Sequence, residues 1–176
     1  VYICSDTLIE RIDEPDADRL AANLSAVNRF AENSAVPVYF TLIPSAAEIW
    51  RDKLPAGAPR CDERALIEQL AAETKAVSID TLSALSAHSG EALYYRTDHH
   101  WTSLGARYGA QALLDGMTAQ ERVCQLFIVT PQSLTNGEAV TEANDALREA
   151  LERLPVGGII CFADNLESRE QTAQLI

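Results

Sequence analysis

Residues 36–43 read V-P-V-Y-F-T-L-I, a near-continuous apolar run of strand length. A strand with one wet face alternates apolar and polar residues, whereas an unbroken apolar strand is covered on both faces, as strands of parallel sheets are. Upstream, V-Y-I-C at residues 1–4 reads as an opening strand, and D-E-P-D at 13–16 sets Pro15 in a first helical turn with acids on the positive end of the helix dipole. The helix that follows is expected to bury Leu20, Leu24, Val27 and Ala31, at helical spacing. Downstream, residues 62–73 repeat that spacing through Leu66, Ile67 and Leu70, and Val77–Asp80 gives a short strand ending in an acid. The alternation is βαβα, so the fold class is α/β, a doubly wound parallel sheet.

Farther on, Tyr94-Tyr95 reads as extended, T-D-H-H-W at 97–101 as a polar loop, and Thr102 as the N-cap of a helix running through Leu104, Tyr108 and Leu113 to Gly116. The pattern then restarts without a linker. Thr118 and Glu121 form a T-x-x-E capping box over a short helix with Val123 and Leu126. Phe127–Val129 is a strand, residues 131–138 a loop, and residues 140–154 a helix with Ala143, Leu147, Ala150 and Leu154 on one stripe. V-G-G-I-I-C-F, residues 156–162, reads as a buried strand, and Ser168 with Gln171 offers a second capping box. Two segments are expected, 1–116 and 117–176, and the second is an unfinished pair of βα units. A chain that opens on a strand with Val1, its only methionine being Met117, reads as cut from something longer.

The formal charge of −12 is spread along the chain, and no Lys/Arg stripe answers the demands of a phosphate backbone, so nucleic acid is excluded as a partner. No apolar run reaches the roughly 18 residues of a membrane span. Cys4, Cys61, Cys124 and Cys161 stand far apart, with no C-x-x-C pair, and read as free buried thiols.

Chemistry concentrates in Thr97-Asp98-His99-His100-Trp101. A carboxylate two residues from an imidazole can orient the ring and hold its tautomer, which is what a general base needs to take a proton from a serine. Asp98 and His100 are that candidate pair; the alternative is a polar turn in which Asp98 caps a backbone N–H. A metal site from Asp98, His99 and His100 is not expected, because adjacent residues rarely point at one ion and no fourth ligand is in sight. No cofactor is expected.

The string Y-Y-R-T-D-H-H-W-T-S-L-G-A at 94–106, with P-V-Y-F-T-L-I-P-S-A-A-E-I and D-K-L-P-A-G-A-P, resembles the DHHW family of bacterial proteins over residues 1–114. That family is similar to the alginate O-acetyltransferase branch of the SGNH hydrolases. The resemblance implies a carbohydrate or acylated glycan as partner, with His100 as general base and Asp98 as its orienting residue. It also implies a nucleophilic serine in a Gly-Asp-Ser turn downstream of the motif, a turn these 176 residues do not contain. Ser45, Ser103 and Ser133 are substitutes one might consider, and none follows a glycine in a strand-to-helix elbow.

Residues 117–176, through Q-L-F-I-V-T-P and V-G-G-I-I-C-F-A-D-N, resemble the start of glycoside hydrolase family 3. That resemblance implies the first two βα units of a (βα)8 barrel, with no catalytic residue inside the segment. Asp164 and Asn165, just past the second strand, read as a loop cap. The two resemblances together imply an incomplete SGNH-like sheet joined to a barrel fragment near Gly116, inactive as it stands, whether by genuine fusion or by the merging of neighbouring fragments. They imply an extracytoplasmic setting for both parents. The competing expectations are an active esterase using Asp98 and His100 with an unidentified serine, and a sugar-binding module stacking on Trp101 and Tyr94.

Overall fold

A computed structural model describes residues 1–175 apart from Ala35, Asn136 and Glu138. It divides into two compact units, Val1–Asn33 with Val38–Gly116, and Ser34–Pro37 with Met117–Ile176.

The first unit opens on an antiparallel hairpin, β1 (Tyr2–Cys4) and β2 (Thr7–Ile9), in the register Tyr2↔Ile9, Ile3↔Leu8, Cys4↔Thr7. Ser5 takes a positive φ of 57° to close the turn. The sequence predicts β1 but not its return strand. Helix α1 (Ala17–Asn33) begins two residues after Pro15, because the Asp16 carboxylate accepts the Arg19 N–H at 2.8 Å and caps it. Pro15 therefore precedes the helix instead of entering its first turn. Leu20, Leu24, Val27 and Ala31 do share a face, but that face is half-buried and no residue of α1 is fully buried.

The run that suggested a parallel sheet does pair in parallel: β3 (Tyr39–Phe40) aligns with β4 (Val77–Ser78). The ladder is short and continues through side chains. Thr41 Oγ1 donates to the Ile79 carbonyl at 2.9 Å, Thr81 Oγ1 to the Leu42 carbonyl at 2.9 Å, and the two hydroxyls meet at 2.8 Å. Coverage on both faces is not observed. Residues 38–42 are half-buried and Ile43 is 43% exposed, since helices cover the faces of a parallel sheet and this one, two strands of two residues, is too small to seat them over both.

Between the strands lie α2 (Ala46–Ile49), a 3-10 turn at Arg51–Lys53 and α3 (Glu63–Glu73), the last capped by Asp62. Asp80, the acid read at a strand end, caps α4 (Thr81–Ser86) by accepting the Ser83 N–H at 2.9 Å. Helix α5 (Ser103–Gly116) ends the unit. The core gathers Cys4, Ile9, Ala47, Ile49, Trp50, Leu82, Leu85, Leu93 and Tyr94. Trp50 meets Tyr94 edge to face at 5.4 Å and donates its indole N–H to the Ser89 carbonyl at 2.8 Å.

The second unit starts with α6 (Ala119–Cys124), whose Thr118/Glu121 capping box is complete. Strand β5 (Ile128–Val129) leads into α7 (Pro131–Leu134), capped by Thr130 with Pro131 at its first position. A loop was expected there; that reading also took in Asn136 and Glu138, which lie outside the described residues. Helix α8 (Asp145–Arg153) is shorter than the expected 140–154, because Asn144 caps it by accepting the Leu147 N–H at 2.9 Å. Leu147 and Ala150 are buried, whereas Ala143 precedes the helix and is exposed. Strand β6 (Gly158–Ile159) pairs in parallel with β5. It is not the buried strand the sequence suggested: Ile159, Ile160 and Phe162 are 40–55% exposed, since its sheet has only two strands. Among the described residues this unit is one parallel pair with its crossover, and no barrel is present.

A 3-10 turn at Ala163–Asn165 precedes α9 (Arg169–Leu175). Asn165 is fully buried, with Oδ1 accepting the Phe162 N–H at 2.9 Å and Nδ2 donating to the Val140 carbonyl at 2.8 Å, while Asp164 is exposed. The second capping box forms by half. Ser168 Oγ accepts the Gln171 N–H at 3.0 Å, but the Gln171 side chain takes the Glu167 N–H in place of that of Ser168. The cysteines are free, with Cys161 half-buried and the other three buried.

Candidate active site

The T-D-H-H-W segment is the tip of a tight loop pinned at its base. Tyr94 and Trp101 form an antiparallel bridge, the Tyr95 N–H donates to the His100 carbonyl at 3.1 Å, and the Thr102 N–H donates to the Leu93 carbonyl at 2.8 Å. Thr102 both anchors the loop and starts α5. Its hydroxyl donates to the Ala92 carbonyl at 2.7 Å and accepts the Gly105 N–H at 3.3 Å, the N-cap role expected of it. The hairpin holds the loop's other side: the Leu8 N–H donates to the Arg96 carbonyl at 2.6 Å, and Arg96 pairs with Asp6 at 2.9 Å.

Trp101 is half-buried and lies across α5, which is why glycines stand at 105 and 109. A Cβ on Gly109 would come within 2.7 Å of the indole ring, and one on Gly105 within 2.5 Å of the Leu93 carbonyl oxygen. Trp101 also lines a cleft of about 310 Å³ beside the ends of β3 and β4, with Thr41, Ile43, Ile79 and Thr81. Tyr94 is 3% exposed and its hydroxyl donates to the Pro44 carbonyl at 2.5 Å, so it belongs to the core and is not a stacking surface for sugar. Burial drives its phenol pKa upward.

Asp98 and His100 come together on the tip. One oxygen, Asp98 Oδ1, accepts the His100 backbone N–H at 2.8 Å and meets His100 Nδ1 at 2.5 Å. The turn-capping contact and the dyad contact are thus the same carboxylate, and the backbone bond fixes the oxygen where the ring needs it. These two bonds, the backbone one first, hold the Asp98 carboxyl below its ordinary range. Among the described residues the ring of His100 hydrogen-bonds only to Asp98, so its Nε2 is left for another group. The His99 ring lies against His100, tilted by 31° with centroids 4.1 Å apart, and its Nδ1 lies 3.6 Å from Glu10 Oε2 and 4.0 Å from Asp98 Oδ1. Glu10 escaped the sequence reading because it sits far away in the chain, just past β2. One ligand atom each from Asp98, His99 and His100 falls within 4.8 Å of the others, the one such group of three among the described residues.

The serines considered as nucleophiles are engaged elsewhere or merely exposed. Ser45 caps α2, and Glu63 grips it twice, accepting from its hydroxyl at 2.5 Å and its N–H at 2.8 Å. Ser133 shares a hydrogen bond with Thr130 at 2.8 Å. Ser103 is exposed on the first turn of α5.

Two further clusters carry charge. Glu48 is 4% exposed and stands 3.4–3.5 Å from Arg51, Arg60 and Arg64; burial raises its pKa against the pull of those guanidinium groups. The third histidine, His88, stacks on Tyr108 at 3.7 Å and meets Glu91 at 2.7 Å, a bond that holds the Glu91 carboxyl low.

A family described as the SGNH hydrolase-like domain of the acetyltransferase AlgX matches residues 3–174. The match runs through Gly116–Met117, so residues 117–174 fall to the same family as the first segment and receive no support as a glycosidase. No curated protein matches the sequence. Among solved structures, the chain is similar to a DHHW family protein from Eubacterium siraeum, with 27% identity and a TM-score of 0.52 over 80% of this chain and 46% of that one. It is also similar in fold to the O-acetyltransferase domain of Pseudomonas putida AlgJ, with 23% identity and a TM-score of 0.53 over 78% of this chain and 49% of that one. The chain spans about half the length of these structures. Among the described residues no helix is long and apolar enough to cross a membrane.

Proposed function

The chain belongs to the AlgX family of SGNH hydrolase-like domains, and from that membership we propose that it carries the base half of a centre for O-acyl transfer on carbohydrate. His100 is the general base and Asp98 its orienting partner; the observation that carries the reading is the single Asp98 oxygen that binds both the backbone and the ring of His100. With Nδ1 held by the carboxylate, Nε2 takes the proton of an attacking hydroxyl, and the carboxylate stabilises the imidazolium that results. The partner is an acylated glycan or a carbohydrate acceptor, and the setting is extracytoplasmic, both taken from the resemblance to the acetyltransferase families.

Our reading assigns no nucleophile within these 176 residues, since Ser45 and Ser133 are hydrogen-bonded to Glu63 and Thr130. Incubating the chain with p-nitrophenyl acetate tests this. We expect no burst and no turnover that depends on His100. Turnover abolished by His100→Ala would instead establish the active-esterase reading and send the search to Ser103, the candidate closest in sequence.

A separate origin for residues 117–176 stays within our reading only as far as two features support it, the restart of capping signals at Thr118 and the unit boundary at Gly116. The parallel β5–β6 pair suits a barrel and a doubly wound sheet alike, and the family match through residue 174 favours the sheet.

A further inference from the structure

We propose that Asp98, His99 and His100, together with Glu10, form a binding site for a divalent transition-metal ion such as Zn²⁺. The two objections raised by the sequence fall with the loop geometry. Adjacent histidines do bring donor atoms together here: one ligand atom each from Asp98, His99 and His100 lies within 4.8 Å of the others, the two rings being tilted by 31° with centroids 4.1 Å apart. A fourth donor is within reach: Glu10 Oε2 stands 3.6 Å from His99 Nδ1, outside the 4.8 Å group formed by the other three and brought near them by the hairpin that clasps Arg96.

The donor set, two imidazoles and two carboxylates, suits zinc, copper or nickel and not the all-oxygen preference of magnesium or calcium. Ligands of one tetrahedral ion bound at about 2.0–2.1 Å stand roughly 3.3 Å apart. Asp98 Oδ1 and His100 Nδ1, at 2.5 Å, must open by less than 1 Å, and the 4.8 Å limit on the three ligand atoms must close by a little more. All four side chains are at least half exposed and free to make those adjustments without disturbing the core. An ion on His100 Nδ1 replaces the proton shared with Asp98 and so removes the orienting bond. That regulatory consequence rests on the dyad reading; the binding site does not.

The test is calorimetric titration of the tag-free, EDTA-treated and dialysed chain with zinc chloride. One ion per chain is expected. Loss of a metal's outer partner costs about 10–100-fold in affinity, so His99→Ala or His100→Ala, each removing a ligand, is expected to weaken binding at least about tenfold. Glu10→Gln weakens it less, and His88→Ala and Cys161→Ser leave it unchanged. In parallel, zinc shifts the ring resonances of His99 and His100 in an NMR titration and leaves those of His88 in place. The absence of saturable binding, or binding that survives His99→Ala, or binding that Cys161→Ser abolishes, overturns the proposal. Failure here is distinct from failure of the dyad, which is read from the tautomer of His100 in metal-free protein.

Discussion

Replacing Gly105 by alanine probes the joint between the T-D-H-H-W loop and α5. In an ordinary helix the change stabilises by about 0.8–1.0 kcal/mol, because alanine loses less backbone freedom. Here the new Cβ falls 2.5 Å from the Leu93 carbonyl oxygen and 3.1 Å from the Trp101 Cβ. The first neighbour is backbone, and it is the same carbonyl that accepts the Thr102 N–H at 2.8 Å. Relief requires α5 to move away from the strand bridge. Overpacking of this kind costs about 1–3 kcal/mol, and a weakened loop hydrogen bond adds about 1 kcal/mol. Set against the helix gain, the net loss is about 2 kcal/mol. For a unit of roughly 110 residues that lowers the melting temperature by about 10 °C. Both tryptophans, Trp50 and Trp101, lie in the first unit, so thermal unfolding followed by tryptophan fluorescence reports on it alone. Gly90→Ala, where a Cβ meets open space, is the control and should be neutral or slightly stabilising. A Gly105→Ala protein that melts at or above the wild-type temperature would refute the packing argument.

Further outcomes follow from the same contacts. Asp98 should titrate below its ordinary 3.8, so its contribution to stability is complete above that value and disappears as pH falls through the lowered folded pKa; NMR titration should return the midpoint toward 3.8 in His100→Ala. Glu48 has the opposite sign. Its raised pKa means the native state holds the proton more tightly, so stability falls as pH climbs from 4.5 through the raised value, and urea unfolding of Glu48→Gln across that range should lack this decline. Tyr94→Phe strands the buried Pro44 carbonyl and should cost about 1–3 kcal/mol in urea unfolding. Asn165→Ala removes both bonds that close the 160s turn, and limited proteolysis should then cut the second unit faster while the first stays intact.

Local signals in the chain were the legible ones. The capping box at Thr118, the N-cap at Thr102 and the spacing in α3 each depend on residues within a few positions, and they appear where their chemistry puts them. The contact between Asp98 and His100 is legible for the same reason, because its two ends lie within two residues of each other. Burial was misjudged in one direction. The apolar runs at 36–43 and 156–162 read as fully covered strands, yet each pairs with a single partner and keeps exposed side chains, a matter of sheet size that no local window contains. Contacts between remote positions were also invisible: Glu10 beside His99, Leu8 on Arg96, and Glu63 on Ser45 join residues far apart in sequence. Gly105 stands in the sequence as part of a motif, but its reason, the Leu93 carbonyl beneath it, exists only in the fold.

Whether Asp98 holds His100 as a base is read most directly from the nitrogen-15 and proton NMR spectrum of the neutral His100 ring in metal-free protein. An Nδ1–H tautomer is expected, with a far-downfield proton hydrogen-bonded to Asp98 and a bare Nε2, both signatures collapsing in Asp98→Asn. A protonated Nε2, or an Nδ1–H signal that Asp98→Asn leaves unchanged, would contradict it.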